Sequence, residues 1–159
     1  MTSRESMINI KPNKDFPASL FIRAAQATLK HQKESPDVDL SIALADDARL
    51  HELNRDYLGV DAPTDVLSFP ASETDGSEID PETGARYIGD IIISVPYAAR
   101  GAAKAGHPLE SELQLLVVHG VLHLLGHDHA RPREKAKMWK AQSEILDTLG
   151  LGSIQVREE

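Results

Sequence analysis

The chain has no cysteine. Disulfides, thiolate metal ligands and thiol nucleophiles are thereby excluded together, and a reducing compartment fits this without being required by it. Aromatic residues are scarce as well, with three Phe, three Tyr and one Trp among 159 residues. The core must therefore be packed mainly from Ala, Leu, Ile and Val. Basic side chains are outnumbered, 17 against 25 acidic ones, for a formal net charge of -8. That balance is unpromising for a nucleic-acid binder as a whole and confines any such role to a local basic patch; DNA is not an expected partner. No apolar run approaches the ~20 residues of a membrane span. Residues 1–14 carry charge early and lack the apolar centre of a signal peptide. A soluble, cytoplasmic protein with no membrane association is the expectation.

The length suits one domain over 1–159 with a buried core. Met7 to Ile10 reads as a short strand, followed by a helix capped by Asp15, with Pro17 in its first turn, running to about Gln32. Val38, Leu40, Ile42 and Leu44 alternate with smaller or polar residues, which predicts a strand. Asp46 or Asp47 then caps a helix through Leu50, Leu53, Asn54 and Tyr57. Thr64 to Pro70 is a further strand, with its proline suited to a sheet edge. Ala71 to Arg86 is acidic, aperiodic and rich in turn residues, and reads as a solvated loop. Tyr87 to Val95 is nearly continuous apolar sequence, as a buried strand requires. Three helices follow: Pro96 to about Gly106, Pro108 onward, and about Pro132 to Leu149. Residues 153–159 read as a flexible tail. The fold class is α/β (α+β), a small sheet with a helical second half.

Four of the seven histidines fall between Val117 and Arg131. His119 and His123, four apart, share a helical face with Cβ atoms ~5–6 Å apart. The helix around them is apolar nearly all round and is therefore buried, so its imidazoles must be satisfied by hydrogen bonds or by a metal. Gly126 can take the left-handed conformation that ends a helix and lets the chain fold back. His129 then returns to the face of His119 and His123; His127 competes for that place, but the longer excursion to His129 better suits a turn. Three neutral imidazoles leave a coordination position open, as catalytic rather than structural zinc sites do. One divalent ion, zinc, is expected on His119, His123 and His129. Asp128 either orients one of these ligands or is an ordinary turn residue. The spacing H-x-x-x-H-x-x-G-x-x-H is that of the metzincin zinc proteases, whose general base is a Glu directly after the first histidine. Here that residue is Gly120, and the peptidase base is missing.

The run His119-Gly120-Val121-Leu122-His123-Leu124-Leu125-Gly126-His127-Asp128-His129 resembles the H-G-x-L-H-L-x-G-[YH]-D-H motif of the bacterial YbeY family. Leu53-Asn54, Tyr57 and Pro63-Thr64-Asp65-Val66-Leu67-Ser68-Phe69-Pro70 agree with the same family, as does Gly89 to Ile93. The resemblance implies a mixed four-stranded sheet with about five helices around it. It also implies zinc on His119, His123 and His129, and cleavage of single-stranded RNA in late 16S rRNA maturation and quality control of the ribosomal small subunit. By position it places Thr64 and Ser68 beside the metal, in contact with substrate. One departure stands out. Many members carry arginine after the tyrosine of the Tyr-x-Gly stretch, where this chain has Leu58. Arg55, three residues earlier on nearly the same helical face, is the candidate to replace it at a phosphate.

The first reading is thus a metal-dependent endoribonuclease. Its general base is open between an ion-activated water, His127, Asp128 and the RNA's own 2′-OH. Arg131, Arg133, Lys135, Lys137 and Lys140 supply a local basic row, either a solvated helix face or a guide for phosphates. The alternatives are a zinc hydrolase of another substrate class, such as a metzincin-like peptidase, and a non-catalytic ribosome-assembly factor with a structural metal.

Overall fold

A computed structural model describes residues 6–71 and 84–152. Within them the order is β1 (Ile8–Ile10), α1 (Ala18–His31), β2 (Val38–Ala45), α2 (Asp47–Leu58), β3 (Val66–Pro70), β4 (Arg86–Ser94), α3 (Val95–Ala105), α4 (Leu109–Leu124) and α5 (Pro132–Thr148). The sheet is mixed, in the order β1-β2-β4-β3. β1 and β4 both run parallel to β2, while β3 lies antiparallel on β4 and forms an edge. Pro70 ends that edge strand, where its missing N–H costs no ladder bond. The α/β fold with five helices among the described residues agrees with the expectation.

The alternation in β2 decides its faces. Val38, Leu40 and Ile42 are buried in the main core, together with Ile88, Ile91 and Ile93 of β4. α1, α4 and α5 cover that face through Phe21, Ala24, Leu29, Val117, Val121, Met138 and Ile145. The opposite face carries a smaller cluster of Leu50, Leu53 and Leu67, against which Ile92 packs. β4 is therefore covered on both sides, which is why its sequence lacks alternation.

Some local expectations are corrected. α1 starts after Pro17, whose extended backbone makes it the cap without any side-chain bond, so Asp15 does not serve as one. Asp46, by contrast, caps α2 by accepting from the Arg49 N–H at 2.9 Å. Pro108 is the cap of α4 rather than its first helical residue. The predicted acidic loop 71–86 lies mostly outside the described residues, as does the predicted tail 153–159. Its last residue, Arg86, is already in β4, paired with Val38.

α4 holds the fold together. Ten of its 16 residues are buried, seven of them Leu or Val. At roughly 1.5–3 kcal/mol for each fully buried aliphatic side chain, packing outweighs the modest helix propensity of its valines. It lies close on β4 because Gly120 faces Ile91: a Cβ there would sit 3.0–3.2 Å from three Ile91 side-chain carbons. Ser68 of β3 fastens the same point, its Oγ donating to the Gly120 carbonyl at 3.1 Å. Gly120→Ala should destabilise the protein by about 1–2 kcal/mol through overpacking, despite alanine's better helix propensity. Urea unfolding checks this, and Ile91→Ala in the same chain should recover part of the loss of Gly120→Ala relative to additivity.

Candidate metal centre

α4 ends in a turn that the sequence encodes in one residue. Gly126 has φ +99°, and the two bonds that close the helix are both present: Gly126 N–H to the His123 carbonyl at 3.0 Å and His127 N–H to the Leu122 carbonyl at 2.9 Å. The chain reverses there. Asp128 Oδ1 accepts the His129 N–H at 2.7 Å, fixing the next residue of the turn. The His129 ring then stands 5.2 Å from that of His123 and 5.7 Å from that of His119. One ligand nitrogen from each of His119, His123 and His129 lies within 4.8 Å of the others.

His127 goes elsewhere. Its Nε2–H donates to Gln32 Oε1 at 2.7 Å. The Gln32 amide donates to His31 Nδ1 at 2.9 Å, and the His31 Nε2–H donates to Glu144 at 2.9 Å. This chain ties the turn to α1 and α5 and commits the outer nitrogen of His127 away from the three imidazoles. It also gives His31 defined partners in Gln32 and Glu144.

The protonation states follow from the surroundings. His119 Nδ1 lies 2.7 Å from Oε1 of Gln142, a buried residue of α5. A carbonyl oxygen only accepts, so Nδ1 carries the proton and Nε2 keeps its lone pair. That lone pair faces His123 Nε2 at 3.1 Å. Burial lowers the pKa of both rings, that of His123 to about 4, with the neighbouring His119 and His129 adding to the effect. With the His119 proton on Nδ1, the contact between the two rings is a hydrogen bond donated by the His123 Nε2–H, a proton that a divalent ion would displace, and the three-imidazole donor set suits zinc. Trp139, with its ring 6.0 Å from His119 and 5.6 Å from His129, closes one side with apolar surface.

The cleft around these rings has a volume of about 710 Å³. α4 supplies its floor with Glu112, Leu115, Leu116, His119 and His123; α5 supplies Trp139 and Gln142. The opposite wall is Thr64, Asp65, Ser68 and Pro70, with Leu58 at the end of α2. Thr64 and Ser68 both line this cleft, and the Ser68 hydroxyl is engaged with the Gly120 carbonyl. His127 and Asp128 also line the cleft. Arg55 is not among the lining residues; it is exposed and paired with Asp56 at 3.0 Å. At the inner end Glu112 is almost fully buried, its Oε1 accepting from His107 Nε2 at 2.5 Å. Gln142 and Glu112 were not singled out from the sequence as site residues. Glu112 stands two helical turns before His119 on the same face, a spacing that offered the signal; Gln142, on another helix, offered none.

Position 120 faces Ile91, away from the three rings. A peptidase of this spacing carries a carboxylate at that position, and this chain does not.

Comparison with known proteins agrees with this geometry. Residues 3–150 match the family described as Endoribonuclease YbeY. The chain is 50% identical over 135 residues to the Endoribonuclease YbeY of Roseiflexus castenholzii, covering 84% of each chain. It is 42% identical over 149 residues to that of Brevibacillus brevis, covering 89% of this chain and 92% of the relative. Among solved structures it is similar to the solution structure of TM1509 from Thermotoga maritima, with a TM-score of 0.57 and 25% identity over 96% of this chain and 97% of the other.

Two outcomes test the electrostatics of the cluster. Gln142→Leu removes the acceptor that holds His119 in its ligating tautomer, and zinc affinity measured by competition with a chelating dye should fall roughly 10–100-fold. In metal-free protein, the His123 pKa is about 4 when folded against 6.5 in the ordinary range. Its neutral form therefore contributes stability that is complete above pH 6.5 and is lost as pH falls toward 4. Urea midpoints of metal-free protein should decline across that window, and His123→Gln should flatten the decline; equal slopes for the two proteins would count against the assignment.

Proposed function

The chain belongs to the Endoribonuclease YbeY family, and within it we propose a metal-dependent endoribonuclease that cuts single-stranded RNA in the late maturation of small-subunit (16S) rRNA and in ribosome quality control, in the cytoplasm. The observation that carries the metal dependence is the convergence of three imidazoles on one point of an open cleft, with the pKa values of His119 and His123 lowered by burial. His119, His123 and His129 hold the ion, and zinc is the ion their chemistry favours. When bound, it supplies Lewis-acid polarisation of the scissile phosphate and stabilises developing oxyanions.

The surrounding residues have separate tasks. Gln142 keeps the proton of His119 on Nδ1, so that Nε2 stays available. Thr64 and the backbone beside Ser68 border the path of the RNA strand opposite α4. Asp128 and His127 border it at the turn and are the protein candidates for taking the proton of the attacking oxygen; since Nε2 of His127 is engaged with Gln32, Nδ1 is the nitrogen left for that role. Trp139 excludes water from the side of His119 and His129.

Phosphates need cations, and the net charge of -8 does not provide them globally. α5 supports the reading locally. Arg131, Arg133, Lys137 and Lys140 are exposed along the helix that also contributes Trp139 to the cleft. Lys137 is near enough to His127 to help lower the pKa of that ring, beside the effect of burial. This row is the part of the surface suited to a phosphate backbone. Arg55, paired on the outer side of α2, can reach a phosphate only by exchanging Asp56 for it.

The test is metal analysis of the purified protein together with cleavage of matched single- and double-stranded RNAs. One zinc per chain is expected, with cutting of the single strand abolished by a chelator and restored by zinc. His119→Ala should slow cutting on the order of 100-fold or more, since loss of even a ligand's hydrogen-bond partner costs 10–100-fold in such sites. Protein that cuts as fast after chelation overturns the reading. A 2′,3′-cyclic phosphate on the product identifies the 2′-OH as nucleophile, and its absence identifies water.

A further inference from the structure

Three large apolar side chains stand out in solvent together: Tyr57, Leu58 and Val60 are 69%, 60% and 48% exposed. Among the described residues only Met7, near the start of β1, is comparable. Scattered exposed apolar residues call for no explanation, but a contiguous group at the rim of a cleft does. Leu58 lines the same cleft as His119, His123 and His129.

The segment is not a fraying helix end. The Val60 N–H bonds to the Asn54 carbonyl at 3.1 Å, and the Asn54 side-chain amide donates to the Ala62 carbonyl at 2.9 Å from a buried position. The Tyr57 ring is held against Phe69 of β3, with centroids 5.5 Å apart and planes at 72°. Phe69 follows Ser68, which is fastened to the Gly120 carbonyl on α4. The exposed ring is thus fixed, through β3, to the helix that carries His119 and His123.

A rigid, exposed aromatic ring directly beside Leu58, which lines the cleft, suits the flat face of an unpaired base. Stacking on aromatic side chains is the common way proteins hold single-stranded RNA, and it is unavailable to bases already stacked in a duplex. Local charge fits a base better than a phosphate here, because Asp56 and Asp61 adjoin the group and Arg55 and His51 are paired with them. Resting on the endoribonuclease reading above, we infer that Tyr57, with Leu58 and Val60, is the platform on which the base of a nucleotide flanking the scissile phosphate stacks, and that it contributes the preference for single strands. The phosphates run on the other side of the cleft, toward α5.

The test is steady-state cleavage of a single-stranded RNA, with binding of a non-cleavable 2′-O-methyl strand measured alongside, both with zinc-loaded protein. Tyr57→Ala should raise KM and weaken binding about tenfold, with kcat changed less than twofold. Tyr57→Phe, which keeps the ring, should restore the affinity, and Leu58→Ser should give a smaller loss. A 2′-O-methyl strand with abasic positions should bind parent and Tyr57→Ala alike. If Tyr57→Ala binds the normal strand as tightly as the parent does, the platform is overturned while the endoribonuclease reading stands. The same holds if both variants lose an association between copies of the chain, by light scattering, with RNA binding unchanged. If the parent neither binds nor cuts RNA, the reading and the platform fall together.

Discussion

Helix α4 lies on β4 as closely as it does because position 120 has no Cβ to hold it off Ile91. Much else depends on that seating. The Ser68 hydroxyl reaches the Gly120 carbonyl only at this separation, and through it the edge strand β3 is tied to the helix of the histidines. Thr64 and Ser68 thereby become a wall facing His119 and His123 rather than a distant strand end. The main core gains as well, since Val117, Val121 and Leu122 fill the space beside Ile91 and Ile93. A looser helix would lose dispersion contacts along its whole buried length.

The second constraint is the cost of placing imidazoles in such a helix. Burial opposes their protonation, and three rings close together oppose it further. The structure meets this by lowering the pKa of His119 and His123 and giving His119 a hydrogen-bond acceptor, Gln142, for its proton. Its Nε2 accepts from the His123 Nε2–H at 3.1 Å, and a cation bound by both nitrogens takes the place of that proton. Affinity for an ion and low stability of the metal-free protein in acid therefore have one origin. His127 is kept out of the cluster by the chain through Gln32 and His31 to Glu144, which gives its outer nitrogen a different partner.

Much of this was legible in the residues themselves. Alternation placed β2, and a nearly continuous apolar run placed the buried strand β4. The apolar girth of residues 113–125 foretold a buried helix. Gly126 foretold the turn that brings His129 back, because a helix end with φ +99° favours glycine strongly. What escaped was whatever depends on contacts between distant elements. Gln142 lies 23 residues from His119 on another helix, and nothing local marks it. Glu112 lies in the first turn of α4, where an acid suits the helix dipole in any sequence, yet it is buried with His107 at the inner end of the cleft. Arg55 was placed near the site by helical phase alone. That phase fixes a direction around α2, but not the neighbour that lies there, and Asp56 holds it on the outside.

The helix-and-turn arrangement of three histidines is shared in spacing with zinc peptidases, so the ligands alone do not choose a reaction. What chooses it is the environment of each neighbouring position. In this chain the position after the first histidine is spent on packing: Gly120 points at Ile91, and any larger side chain there would push α4 off the sheet. The group that would make the site a peptidase is excluded by the same contact that builds the cleft. What borders the rings instead is a wall of small and hydroxyl side chains, a helix with exposed cations on one side, and the exposed Leu58 on the other, with Tyr57 next to it in sequence. Those surfaces match the three parts of a flexible nucleic-acid strand, its sugar hydroxyls, its phosphates and its bases. A peptide backbone could extend the edge strand β3, but an uncharged backbone has no group to match the exposed cations of α5.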